Sequence, residues 1–203
     1  MKEPATPNEE IICSYLKEWD NLDNYILQEN SLNLLFNKLC NSNKSIENIL
    51  LKVSALNDFY STNIYDTFTV AKHILKCDID NELENHNKEL VNKIALIKMK
   101  RKTINFYSFA SKYCSHHKPE HYPIYDVYVE KMLMFFKKRD KFDSFKKEDI
   151  KNYPRFIEII NNFKVNYNLQ QYSLRQIDIY LWLAGKEHFP KTYKKPNRVA
   201  GGF

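Results

Sequence analysis

Apolar residues recur at three- and four-residue spacing along most of this chain, the rhythm of helices with one buried face. Ile11 to Trp19 carry a short version of the pattern. Leu22 to Leu39 continue it, with Tyr25, Ile26, Leu32, Leu35 and Phe36 in register. The polar stretch Asn41 to Lys44 interrupts, and Ser45 is placed to cap a helix reaching about Tyr60. After Ser61-Thr62-Asn63, the pair Asn63 and Asp66 resembles a capping box, and a helix is expected to about Leu75 with Phe68, Ala71, Ile74 and Leu75 on its apolar side. Residues 79–98 begin acidic and end basic, which suits a helix macrodipole.

Met99 to Lys102 then reads as a basic connector, and Thr103 as the cap of a helix over 104–116 that stops at Lys118-Pro119. A further helix is expected from Asp126 to Phe136, followed by a charged loop from Lys137 to Lys147. Next comes a helix over 147–165 in which Pro154 is a candidate break. Ser173 and Gln176 form a capping box for the last helix, 174–186, with Ile177, Tyr180, Leu181 and Ala184 as its stripe and Gly185 as its stop. No strand alternation stands out. The fold class expected is all-α, with eight to ten helices in a two-lobed bundle. Residues 1–203 are expected to form one globular unit, with 1–44 and 137–190 in one lobe, 45–136 as the core of the other, and a basic tail over 191–203.

Composition narrows the choice of chemistry. With 43% hydrophobic and 28% charged residues the chain can bury a core, so it is globular and not disordered. It has only three glycines, two of them in the last three residues. Loops that cradle phosphates with bare backbone need glycine, which argues against a dinucleotide-binding or P-loop fold. The formal charge of +6 suits a polyanionic partner, although lysine-rich solubility accounts for it equally well. Cys13, Cys40, Cys77 and Cys114 lie far apart without a CxxC pair, which fits reduced thiols in a cytoplasmic protein. Nothing at the start resembles a signal peptide, and no run approaches the roughly 20 apolar residues of a membrane span.

The richest segment is Ser108 to Asp126, a helix, a proline-marked turn and an aspartate at the mouth of the next helix. Cys114, His116, His117 and His121 are of metal-binding type. Adjacent histidines diverge by about 100° on a helix, however, and no persuasive set of four is present, so no metal is expected. By local chemistry alone Asp126 is a favoured N-cap after a proline turn, Lys112 a solvated lysine between Ser111 and Ser115, and Asn63 a cap or turn residue.

The stretch His117-Lys-Pro-Glu-His-Tyr-Pro-Ile-Tyr-Asp-Val-Tyr128 resembles the segment ending at the catalytic aspartate of helix-hairpin-helix DNA glycosylases, in their 8-oxoguanine branch. Tyr60-Ser-Thr-Asn63-Ile resembles the Ser/Asn-rich helix junction of the same branch. The resemblance implies that fold, and a catalytic role for Asp126 in stabilising the sugar cation and orienting water. It departs from the family at Ile97 to Phe106, which has no glycine but carries Lys98, Lys100, Arg101 and Lys102. It departs again at the family's nucleophilic lysine, whose place is taken by Phe106 or Tyr107. Lys112, fourteen residues before Asp126, is a second catalytic candidate, and a monofunctional enzyme is the expectation.

A flipped base needs aromatic faces and polar edges, for which Asn63, Tyr107, Tyr122, Tyr125 and Trp182 are the candidates, with Tyr128 beside them. Lys98, Lys100, Arg101, Lys102, Lys118, Lys194, Lys195 and Arg198 are the candidate phosphate contacts. The partner implied is double-stranded DNA with a damaged or modified base, met by a monomer without cofactor, in repair or in defence against bacteriophage. Two other readings stand beside it: a non-catalytic helical nucleic-acid-binding module, and a helical interaction protein.

Overall fold

The computed structural model describes residues 3–100 and 102–190. Among these, ten α-helices account for most of the chain: α1 (Glu9–Trp19), α2 (Asp23–Leu34), α3 (Ile46–Tyr60), α4 (Thr67–Cys77), α5 (Asp80–Glu84), α6 (Leu90–Ala95), α7 (Tyr107–His117), α8 (Val127–Asp140), α9 (Tyr153–Asn166) and α10 (Leu174–His188). The fold is an all-α, two-lobed bundle.

Helix starts follow the capping chemistry of the sequence. The Ser45 hydroxyl accepts the Asn48 N–H at 3.4 Å. Ser173 and Gln176 satisfy each other's backbone N–H groups in a complete capping box, at 3.1 and 2.9 Å. Each such cap removes one or two of the unpaired donors at a helix start. At α4 the cap is Asp66, which accepts from the Thr69 N–H at 3.0 Å, and Asn63 lies in the preceding turn at φ 58°. Pro154 does not break a helix. It sits in the first turn of α9, where its missing N–H has no partner to lose, and a 3-10 turn over Glu148–Lys151 precedes it.

Three expectations are corrected. Residues 79–98 form two short helices and a strand in place of one helix. Met99 to Lys102 is the turn of a β-hairpin, in which β1 (Leu96–Lys98) pairs antiparallel with β2 (Thr103–Asn105), so Thr103 is a strand residue and not a cap. The pairing sets Ile97 opposite Ile104, with Ile97 fully buried between exposed neighbours. Three residues per strand are too few for a period of two to emerge. Gly185 does not close the last helix, which continues to His188.

The helices pack in two groups. α3, α4, α6 and α7 contact one another, with α2 and a π-helical turn over Leu35–Leu39 against them. α10 packs on α1 and α8, and α9 joins through ring contacts such as Phe136 with Phe163. The turn from Lys118 to Asp126 passes between the groups. Its hold on α7 is polar: the Ser111 hydroxyl accepts the Tyr125 N–H at 3.0 Å, and the Ser108 hydroxyl and the Lys112 ammonium donate to the Tyr125 carbonyl at 3.1 and 3.2 Å. Among the described residues six non-glycines, Ser61, Asn63, Asp78, His86, Lys141 and Asn168, occupy the left-handed region at chain reversals.

Gly185 faces the start of α8. A methyl group built there would lie 2.7 Å from Tyr128 Cβ and 2.9 Å from the Tyr128 carbonyl oxygen, closer than atoms pack. The glycine thus lets α10 lie directly on the backbone of α8. Helix propensity favours alanine over glycine by about 1 kcal/mol, while overpacking costs about 1–3 kcal/mol. Gly185→Ala is expected to lower the urea midpoint despite the gain in propensity, and Gly185→Val to lower it further; an unchanged or raised midpoint for alanine would show that the contact yields freely.

Candidate active site

Where the two helix groups meet, α2, α3, α7, α8 and α10 enclose a cavity of about 330 Å³. That volume is within the range of small-molecule sites, about 300–1,000 Å³. Asp126 and Lys112 both line it. Asp126 is the N-cap of α8: one carboxylate oxygen accepts the Tyr128 N–H at 3.0 Å, and the other lies 3.7 Å from Lys112 Nζ. The cap and the ion pair use different oxygens, so the two roles are compatible in one residue.

Lys112 is not a solvated lysine. It is 3% exposed, its ammonium donates to the Ser108 hydroxyl at 2.6 Å and to the Tyr125 carbonyl, and the Tyr60 ring lies 5.2 Å away. Burial draws its pKa down, against the pull of Asp126 and Asp178 upward. A larger share of neutral amine is therefore present than on a surface lysine. Spacing along α7 gave no sign of this meeting, because the turn that follows doubles back over the helix.

α10 supplies three residues that the sequence reading did not group. Arg175, Asp178 and Trp182 stand beside the apolar stripe at intervals of three and four. The Arg175 guanidinium forks onto Glu29 of α2 at 2.6 and 2.9 Å and pairs with one oxygen of Asp178. The other Asp178 oxygen, Oδ1, is buried without a hydrogen-bond partner. Burial raises the pKa of Asp178 to about 6, and the attraction of Arg175 and Lys112 only partly offsets that. Trp19, Tyr25 and Trp182 close one wall, with ring centroids 5.2–6.1 Å apart. Tyr60 adds a neutral phenol, its pKa pushed up to about 12 by burial, in contact at 3.1 Å with His116, which burial holds neutral at a pKa of about 3.

Of the five base-pocket candidates, Trp182 lines the cavity. Tyr107, Tyr122 and Tyr125 are core residues whose hydroxyls donate to the Ile150 carbonyl (2.9 Å), the Asn87 carbonyl (3.2 Å) and Glu130 (2.6 Å). Asn63 is exposed outside the cavity, and its neighbour Ser61 lines it instead. Tyr128 also belongs to the wall. Lys98, Lys100 and Lys102 are exposed on the β-hairpin, whereas Lys118 is half-buried and paired with Glu84 at 2.8 Å. Arg101, Lys194, Lys195 and Arg198 lie outside the described residues.

The cysteine and histidines of α7 and the turn after it point to different neighbours. Cys114 is in the core, His117 meets Lys52 and Asn43, and His121 stacks on His86. Among the described residues no three or more His, Cys, Asp or Glu side chains gather as metal ligands, and no helix is long and apolar enough to cross a membrane.

Residues 11–121 match the family described as HI_0787_N, N-terminal domain. The matched segment takes in Lys112 and ends in the turn before Asp126. Over 148 residues the chain is 47% identical to a protein of Haemophilus influenzae (strain ATCC 51907 / DSM 11121 / KW20 / Rd) described as uncharacterized, covering 72% of this chain and 71% of that protein. No solved structure matches.

Between pH 3.8 and about 6 the folded protein keeps a proton on Asp178 that the unfolded chain has released. The contribution of this group to stability is therefore full at the acid end and falls as pH rises through that window. Asp178→Asn is expected to flatten the pH dependence of the melting temperature there relative to wild type. Parallel curves for the two proteins would place the titration elsewhere.

Proposed function

The chain belongs to the HI_0787_N family, and from the geometry of its cavity we propose that it is a DNA glycosylase acting on a damaged or modified base. The observation that carries this reading is the buried amine of Lys112 3.7 Å from the Asp126 carboxylate, on the wall of an aromatic-sided cavity. Breaking an N-glycosidic bond leaves its electron pair on the base and positive charge on the sugar. A carboxylate beside C1′ stabilises that charge. The neutral amine supplies the nucleophile: as the Nζ–C1′ bond forms, the amine loses a proton and the departing base takes one up. Water oriented by Asp126 is the alternative nucleophile, and the monofunctional outcome belongs to it.

The base must leave the stack before either step, which an aromatic wall at Trp19, Tyr25 and Trp182 favours. Asp178 lines the cavity next to the donors of Arg175, and its buried oxygen Oδ1 has no hydrogen-bond partner. A base presenting an N–H to Asp178 gains most, because the buried oxygen is then satisfied. An oxidised purine meets that description, as do unusual bases of bacteriophage DNA. On this reading the fold is a divergent relative of the helix-hairpin-helix glycosylases, in which the β-hairpin lysines grip phosphate by charge where the family uses a glycine turn.

The missing glycines also favour a second reading, a DNA-binding module without chemistry. Oligonucleotides each carrying one altered base separate the two. Release of a base is expected from at least one, with Asp126→Asn slowing it about 10²–10³-fold. Borohydride is expected to trap a covalent adduct with wild type and none with Lys112→Gln. Binding without release from any lesion would leave only the module. Release without an adduct would assign the attack to water.

A further inference from the structure

Tyr65 is 97% exposed, whereas among the described residues every other Tyr, Phe or Trp side chain except Phe68 is buried or partly buried. It does not hang on a loose loop. The side-chain carbonyl of Asn57 accepts the Ile64 N–H at 2.9 Å and the Thr62 hydroxyl at 2.8 Å, and its amide donates to the Ile64 carbonyl at 3.1 Å. Ile64 is buried beneath, and Ser61 and Asn63 turn the chain through left-handed conformations. A firmly held turn thus keeps a large ring entirely in water, where it packs against nothing. Ser61, at the start of this turn, is part of the cavity wall, so at most about 14 Å of chain separates the wall from Tyr65.

The surroundings are cationic. Phe68, half exposed, carries the Lys72 ammonium 4.5 Å from its ring. The Asp66 carboxyl is held below its usual pKa first by the Thr69 backbone and hydroxyl donors it caps, and then by the nearby charge of Lys100. Lys98 and Lys102 extend the charge along the hairpin, and neither has an ion-pair partner among the described residues. Leu96 adds exposed apolar surface on the same hairpin.

We propose that Tyr65, with Phe68 and the hairpin lysines, forms the face that receives duplex DNA, and that Tyr65 stacks in the space vacated by the nucleotide that enters the cavity. The proposal rests on the glycosylase reading for the nucleotide's destination. An exposed ring stacks on any base, while lysines fix the phosphates without reading sequence. The helix opened by an extruded nucleotide offers apolar faces on both sides of the gap, and a side chain wedged there keeps it from closing.

The test is binding of the full chain to a duplex with one tetrahydrofuran abasic-site analogue, against the same duplex intact. Tyr65→Ala is expected to weaken the gapped complex about tenfold and the intact one much less, with Tyr65→Phe close to wild type. Replacing Lys98, Lys100 and Lys102 together by Gln is expected to shallow the salt dependence of affinity by about 0.9 per lysine that contacts phosphate. Equal affinity of wild type and Tyr65→Ala for the gapped duplex overturns the proposal. So does a Tyr65→Ala effect confined to self-association. Base release with no contribution from Tyr65 would leave the glycosylase reading standing alone; Tyr65-dependent gap binding with no base release would leave this face standing without the enzyme.

Discussion

Everything at the candidate site depends on how α7 holds the backbone of Tyr125. Two serines and a lysine on one face of that helix bind the N–H and the carbonyl of a single residue. The next residue is Asp126, so fixing that peptide fixes the carboxylate. The same lysine makes one of these bonds and faces the carboxylate. Structural and chemical roles are therefore coupled in Lys112. Weakening the grip would loosen both the turn and the ion pair, which is a reason to test the chemistry through adduct formation and not through rate alone.

Around that contact the protein buries two charged residues, Lys112 and Asp178, and partly buries three more. Asp126, Lys112, Asp178, Arg175 and Glu29 form a series of alternating sign running from α8 through α7 and α10 to α2, with ion pairs at Lys112–Asp126, Arg175–Asp178 and Arg175–Glu29 and a longer-range attraction between Lys112 and Asp178. Burying charges is costly unless each finds a partner, and here the partners are nearly balanced. The exception is the free oxygen of Asp178. Its desolvation lifts the carboxyl's affinity for protons. Arg175 also ties α10 to α2, so the arginine that supports the acidic group holds one side of the cavity closed as well. The aromatic wall of Trp19, Tyr25 and Trp182 spans the same two helices together with the end of α1.

Much of the helical order was legible in the sequence because helix caps and a 3.6-residue period are local signals. Ser45, Asp126 and the Ser173–Gln176 pair cap where their chemistry said they would. The β-hairpin was not legible, since three-residue strands carry no period and its lysines looked like a linker. The pairing of Lys112 with Asp126 was hidden for another reason. Register along a helix says nothing of a turn that folds back over it. Residue type misled for the tyrosines: Tyr107, Tyr122 and Tyr125 have the rings a base pocket needs, but their hydroxyls found partners in the core. Glu29 and Arg175 lie 146 residues apart in the chain, and only the packing of α2 on α10 unites them.

Gly185 is the single glycine among the described residues, and six left-handed reversals are made by residues with side chains. This shifts where the entropy of folding is paid. A glycine at a reversal relaxes the native backbone but gives the unfolded chain more conformations to lose. With side chains at these reversals the unfolded chain has fewer conformations to lose than it would with glycine there, and the native turns carry the torsional load, held in place by contacts such as those of Asn57. Among the described residues the one glycine brings two helices together, and the bends are built from residues that resist bending.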